Sequence, residues 1–415
     1  MFETTSYEHN LLARASLDAC VKCTICETQC PVMAVTPLFP GPKFVGPQAE
    51  RYRHGESVDH SLDYCSSCGT CTLVCPQGVK IAELNSVARA AMKKDHMPVR
   101  DQLISRTTFM GKAMRPIAPV ANAALRFPPA RWFAETFVGI HRKAAMPTAH
   151  VRTFTSWWKK HSRKLARTRT ADWQAPRGKV VFFHGCAGNY FEVETSIKSV
   201  EVLEYLGFEV VVPKQGCCGL PLQSNGIFDK AREYVTKLSA QLNVEPGTPI
   251  IASASSCAGM LKHEAREIMG VEDPALTEVG ERIRDMAEFL FLLAERGELP
   301  LRFAAIDSTV VYHAPCQLKG QGMGKPALSL LQLIPGLTVI DSGVACCGIA
   351  GTYGLKKEKY EVGQAVGKPL FDKVKQYSPE LAVCDTETCR WQIAAATKAK
   401  VVDPVWLIHK AYGLS

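Results

Sequence analysis

The chain has 415 residues, 47% apolar and 21% charged, the composition of a folded globular protein with room for about three cores. Seventeen cysteines are too sparse over this length for a disulfide scaffold, and no run of 18 apolar residues is present to span a membrane. The net charge of +9 is uneven: residues 100–179 hold 17 Lys and Arg against Asp101, Glu135 and Asp172, and the remainder of the chain is net acidic.

Leu11 to Asp18 is predicted as a short lead-in helix, and the first 20 residues show neither an apolar export core nor a twin arginine. Then a motif is written twice: Cys20, Cys23, Cys26, Cys30-Pro31, and Cys65, Cys68, Cys71, Cys75-Pro76. This C-x₂-C-x₂-C-x₃-C-P run is the bacterial ferredoxin spacing, in which three thiolates wrap one [4Fe–4S] cluster and the fourth serves the other. Cys20, Cys23, Cys26 and Cys75 are therefore predicted to hold one cluster, and Cys65, Cys68, Cys71 and Cys30 the second. Zinc is the weaker alternative, because its ligands usually come as separated pairs. Thiols kept for metal point to a reducing, cytoplasmic setting. The 34 residues between the motifs begin with Pro37-Leu-Phe-Pro-Gly-Pro-Lys43, which excludes regular structure, and continue with helix formers from Pro47 to Arg53. A helix is predicted from Ile81 to Lys94, ending near Pro98.

The basic segment, 100–178, has no strand pattern and carries interleaved aromatics. Helices are predicted over Ala130–Lys143 and Arg152–Arg167. Trp132, Phe133, Phe137, Trp157 and Trp158 among the positive charges suit a membrane surface; a solvated basic linker is the competing reading. A zinc-structured nucleic-acid binder is the least favoured reading, since it leaves the ferredoxin spacing unexplained.

From residue 179 the chain repeats itself. The first half runs Val180-Val-Phe-Phe-His184-Gly-Cys186, Cys217-Cys218-Gly219, Cys257-Ala-Gly-Met260; the second runs Val310-Val-Tyr-His313-Ala-Pro-Cys316, Cys346-Cys347-Gly348, Thr386-Glu-Thr-Cys389. A shift of 129 puts Cys218 on Cys347, Cys257 on Thr386 and Met260 on Cys389. Apolar runs at Val180–Phe183, Glu209–Val212, Ile250–Ser253, Val310–Tyr312, Thr338–Ile340 and Leu381–Val383 alternate with helical stretches. That alternation predicts two α/β units with mainly parallel sheets and cysteines at the strand ends. The predicted fold class is α+β overall: a mainly helical two-cluster unit over 1–99, the basic segment over 100–178, and repeated units over 179–300 and 301–415. Cys186, Cys217, Cys218 and Cys257, and Cys316, Cys346, Cys347 and Cys389 with Cys384 nearby, are candidate ligands for a further iron–sulfur cluster or zinc. His184 and His313 read as hydrogen-bonded structural residues, with ligation or proton donation as the alternative.

The order of two ferredoxin motifs and two Cys-Cys-Gly (CCG) units resembles the iron–sulfur subunit family of anaerobic glycerol-3-phosphate dehydrogenases. The likeness extends to Cys20-Val-Lys-Cys-Thr-Ile-Cys26, Pro40-Gly-Pro-Lys43, Gly46-Pro47, Glu50-Arg51 and Glu387-Thr-Cys-Arg-Trp-Gln-Ile393. It implies an electron carrier between an FAD-containing subunit and membrane (mena)quinone, attached to the inner membrane face, with no substrate chemistry of its own. Wider relatives include the iron–sulfur subunits of glycolate oxidase and lactate utilisation systems, and heterodisulfide reductases, which imply a thiol or heterodisulfide reductase as the alternative. That wider family ends its CCG motif in C-x-x-C; here each half lacks one member, and Cys384 lies two residues before the expected position.

Overall fold

Val180-Val-Phe-Phe183 and its repeat, Val310-Val-Tyr312, are β-branched and aromatic runs with no polar alternation, the pattern of strands covered on both faces. The computed structural model, which describes residues 15–48, 60–94, 97–168, 174–378 and 380–414, places each at the centre of a parallel sheet. The first sheet contains β1 (Lys179–Phe183), β2 (Glu209–Val211), β3 (Ile250–Ala252) and β4 (Ile283–Asp285), ordered β2-β1-β3-β4. The second contains β5 (Ser308–His313), β6 (Leu337–Asp341), β7 (Leu381–Cys384) and β8 (Lys400–Val402), ordered β6-β5-β7-β8. Val180, Val181, Phe182 and Phe183 are fully buried, each contributing roughly 2 kcal/mol by leaving water. One core runs through both units, joining Val180 and Phe182 to Val310 and Tyr312 by way of Met286 and Leu290.

All six expected strands are present; β4 and β8 were not foreseen. Each is a three-residue edge strand, Ile-Arg-Asp and Lys-Val-Val, too short and too polar to show a period.

The N-terminal unit repeats at the backbone level. Lys22 and Thr24 in the first motif, Ser67 and Gly69 in the second, all have positive φ (58°, 66°, 52° and 77°). Each pair leads into one turn of helix, Ile25–Thr28 and Thr70–Leu73. The predicted lead-in helix is a 3₁₀ turn at Ser16–Ala19 where described, and most of Pro47–Arg53 lies outside the described residues. The Ile81–Lys93 helix then wedges this unit against the rest: Val87 and Ala90 join the core of the first repeat, while Ala88 joins Cys30, Cys65, Cys346 and Val366.

The basic segment is more helical than expected. Helices cover Val99–Ser105, Thr107–Met114, Ala118–Arg126, Pro128–Phe133 and Phe154–Thr168. Prolines start two of these helices, since Pro119 and Pro128 sit in first turns, where no amide hydrogen is needed. The expected Ala130–Lys143 helix stops early, at Gly139 with φ 79°. Trp157 and Trp158 pack against the shared core, so they leave the exposed aromatic set.

Candidate metal centres

In the N-terminal unit the thiols have exchanged neighbours. Cys20, Cys23, Cys26 and Cys75 line one hollow. Burial, then Glu27 and the thiols of Cys20, Cys75 and Cys23, push Cys26 up to about 11. Burial, followed by Cys65, Cys68, the Glu83 carboxylate and Cys30, pushes Cys71 up. Cys75 thus sits among the thiols of the first motif, and Cys30 among those of the second. The Ser67 N–H donates to Cys65 Sγ at 3.5 Å and the Val79 N–H to Cys75 Sγ at 3.4 Å.

The two repeats face one cavity of about 640 Å³, walled by Cys186, Cys218 and Cys257 from the first and Cys316, Cys346, Cys347 and Cys389 from the second. Cys68 and Cys75 reach the same cavity. Burial, and after it the Cys316 thiol, pushes Cys68 up, so the N-terminal thiols approach the second repeat directly.

Within each repeat the paired cysteines diverge. Cys217 Sγ reaches Cys186 Sγ and Cys218 Sγ reaches Cys257 Sγ, both at 3.5 Å. In the second repeat Cys346 neighbours Cys316, and Cys347 Sγ lies 3.0 Å from Cys389 Sγ. The pair thus bridges two strand ends. The following glycine permits this, with φ 82° at Gly219 and 85° at Gly348, and its N–H donates to the first thiol of the pair at 3.5 and 3.3 Å. A Cβ on Gly348 would collide with the Gly363 carbonyl.

The strand register corrects the 129-residue alignment at the last cysteine. Phe183 pairs with Ala252 and His313 with Cys384, which makes Ala252 equivalent to Cys384 and Cys257 equivalent to Cys389. Ala254 and Thr386 then correspond, and each is the extended residue capping a helix start. Both repeats therefore lack the same member of C-x-x-C, its first. The Ser255 and Thr386 hydroxyls meet there at 2.9 Å.

All seventeen cysteines are free thiols. Their surroundings suit metal. Burial and neighbouring thiols push Cys30 up to about 12, and thiol hydrogen bonds and burial raise Cys186 and Cys218. Crowded buried thiolates need a cation to exist, and a bound metal supplies it. Thiol hydrogen bonds favour the thiolate at Cys217 and Cys347.

His184 and His313 are buried, and burial lowers them to about 4 and about 3, so both rings are neutral. His184 Nδ1 bonds the Gly185 carbonyl at 2.6 Å and its ring leans on Phe154; His313 Nδ1 meets Ser342 Oγ at 3.1 Å.

Three residues at the sites carry no sequence signal. Thr107, from the basic segment, donates to Cys186 Sγ at 3.0 Å. Arg89 donates to the carbonyls of Cys65 and Ser224 at 2.7 and 2.8 Å, joining the N-terminal unit to the first repeat. Glu264 lines the cavity, and burial pushes its carboxyl up to about 7. The Glu387–Ile393 string acquires a structural meaning. Arg390, buried on that helix, bonds Glu192 and Asp403 at 2.9 Å each, and Trp391 Nε1 donates to Glu192 at 2.6 Å, clamping the second repeat to the first.

These features define a protein with a two-motif ferredoxin-type unit followed by a pair of cysteine-rich units. Family models agree: a 4Fe-4S dicluster domain matches residues 16–79 and a cysteine-rich domain matches 180–262 and 310–394. The chain is 37% identical over 406 residues to the iron–sulfur subunit of the anaerobic glycerol-3-phosphate dehydrogenase of Escherichia coli (strain K12), covering 95% of this chain and 98% of that one. It belongs to that iron–sulfur subunit family. One of the subunits of the fumarate reductase (CoM/CoB) of Methanothermobacter marburgensis is 28% identical, over 58% of this chain and 47% of its own length. Lactate utilization protein A of Oceanobacillus iheyensis is 26% identical, over 56% and 94%.

Proposed function

We propose that this chain is the electron-carrying subunit of a membrane-associated glycerol-3-phosphate dehydrogenase, taking electrons from an FAD-containing subunit and passing them toward (mena)quinone. Cys20, Cys23, Cys26 and Cys75 hold one [4Fe–4S] cluster, and Cys65, Cys68, Cys71 and Cys30 the other. Cys186, Cys217, Cys218 and Cys257 offer a further site in the first repeat; Cys316, Cys346, Cys347 and Cys389, with Cys384, offer one in the second. The clusters supply one-electron carriers. The protein buries them, sets their spacing and donates N–H bonds to their sulfurs, all of which tune potential. The observation that carries the reading is the continuous line of thiols from the Cys26 hollow, through Cys75 and Cys68, to Cys316 and Cys346. The division into 1–99, 100–178, 179–300 and 301–415 belongs to the same proposal.

The membrane-facing surface is the exposed apolar side of the basic segment. Phe109, Ile117, Val120, Phe127, Trp132, Phe133 and Phe137 are more than half exposed, beside exposed Lys112, Arg115 and Arg126. Among the described residues no helix is long and apolar enough to cross a membrane. The attachment in this reading is peripheral, through that surface, on the cytoplasmic face.

Anaerobic purification followed by mixing with the FAD-containing partner and glycerol 3-phosphate tests the reading. Bleaching of the iron–sulfur absorption, reversed by a quinone analogue, is expected; an unchanged spectrum overturns it. The thiol-lined cavity, with Glu264 as a proton donor, favours a second reading as a disulfide reductase, which predicts thiol release by the isolated, chemically reduced chain.

A further inference from the structure

The two repeats are the same machine with different fittings at one spot. At the ends of the central strands the first repeat presents Phe183 beside Ala252, while the second presents His313 beside Cys384. Both pairs precede their cysteines by the same intervals: three residues to Cys186 and Cys316, five to Cys257 and Cys389. The second repeat has thus gained a nitrogen and a sulfur where the first keeps a hydrocarbon pair.

Both additions point at the thiols already there. A ring nitrogen of His313 and the Sγ atoms of Cys347 and Cys389 lie within 4.8 Å of one another, all buried. Ser342 occupies His313 Nδ1 and so fixes the ring, leaving Nε2 buried with no hydrogen-bond partner among the described residues. Such a second-partner bond is how metal-ligating histidines are oriented. Cys384, aligned with His313 across β5 and β7, neighbours both Cys347 and Cys389. Tetrahedral thiolates about 2.3 Å from one ion stand about 3.8 Å apart, so the spacing of His313, Cys347 and Cys389 suits one shared ion, with Cys384 beside Cys389 as the fourth donor; the corners of a cubane each hold a separate iron.

We propose that His313 Nε2, Cys347, Cys384 and Cys389 form a Cys₃His site for a single tetrahedral ion, zinc or iron, set into the wall of the cavity, while Cys316 and Cys346 face the cavity beside it. Binding releases thiol protons and moves no electrons. The inference rests on the reading that the second repeat holds metal, and assigns that metal a nitrogen ligand.

The test uses the full chain purified anaerobically. Metal analysis is expected to find one equivalent of zinc, or of iron beyond the two N-terminal clusters, lost at least tenfold in His313→Gln and Cys384→Ser. The EPR signals of the N-terminal clusters should be unchanged. X-ray absorption at the zinc edge, or ¹⁵N-histidine coupling if the ion is paramagnetic iron, should show one nitrogen in the wild-type site, a readout independent of how the variants fold. Metal in the second repeat with an all-sulfur shell, or full retention in His313→Gln, overturns the inference alone. Absence of metal there overturns the underlying reading of that repeat too, and intact N-terminal EPR would still leave the electron-carrying proposal standing.

Discussion

Cys75 belongs to the second motif by sequence and to the first by position, beside Cys20, Cys23 and Cys26. Replacing it with serine is expected to damage the cluster of the first three cysteines; loss of only the Cys65–Cys71 signal by EPR would refute the crossed assignment. Asp63 offers a second test at this scale. It pairs with Lys93 at 2.7 Å and with Lys359 of the second repeat. Burial opposes its charge, but the two lysines outweigh it and hold the carboxyl well below its usual range. A depressed folded value means stability present above the unfolded pKa near 3.8 and lost as pH falls below it. Asp63→Asn is therefore expected to cost about 1–3 kcal/mol at pH 7, discounted for its partial exposure. The gap from wild type should close below about pH 4 in denaturant titrations. At single residues the sequence spoke where chemistry is spaced regularly, as in the ferredoxin runs. It was silent on Thr107, Arg89 and Glu264, whose roles come only from distant segments meeting.

At the scale of elements, the glycine after each cysteine pair governs geometry. Gly348→Ala imposes a left-handed residue with a side chain directed at the Gly363 carbonyl. A cost of about 1–3 kcal/mol or more is expected, with loss of metal from the second repeat and little change in the N-terminal EPR. The helix carrying Cys389 is held by Arg390, whose removal strands two carboxylates; Arg390→Ala is expected to lower stability by about 3–5 kcal/mol in thermal unfolding. A shift of either Tm by less than a degree would refute these roles. The central strands were legible because full burial leaves an unbroken apolar run. The edges β4 and β8 were not, because three residues carry no period. In the basic segment the two expected helices became several, because a proline's effect depends on whether it falls in a first turn, which composition does not record. The repeat was legible, but a constant shift hid a three-residue insertion before Cys389, and only strand pairing revealed that both halves lack the same ligand.

For the whole molecule, the most exposed apolar residues of the basic segment alternate along the chain with exposed Lys112, Arg115 and Arg126. Burying Trp157 and Trp158 removes them from the proposed membrane-facing surface and leaves Trp132, Phe133 and Phe137 among its exposed aromatics. The chain is expected to sediment with anionic vesicles and to release at high salt, since each basic residue near the surface adds about 1 kcal/mol. Replacing Trp132, Phe133 and Phe137 with serine should weaken binding, whereas equal failure of wild type and variant would reassign this side to a protein partner.

The crossed thiols have one more consequence, for how the protein is made and how it fails. Under the proposed crossed ligation each iron–sulfur cube is a rivet through both motifs, closing the long stretch that separates them, while Lys22, Thr24 and Ser67 sit in left-handed backbone conformations that their side chains do not favour. A half-loaded protein keeps one rivet but leaves the other motif's three-cysteine turn, with its left-handed residues, without the metal that holds it, so it is a poor resting state. Iron delivery and damage by oxygen are then paired events: molecules taken midway through oxidation should be mostly full or mostly empty, with few holding a single cube.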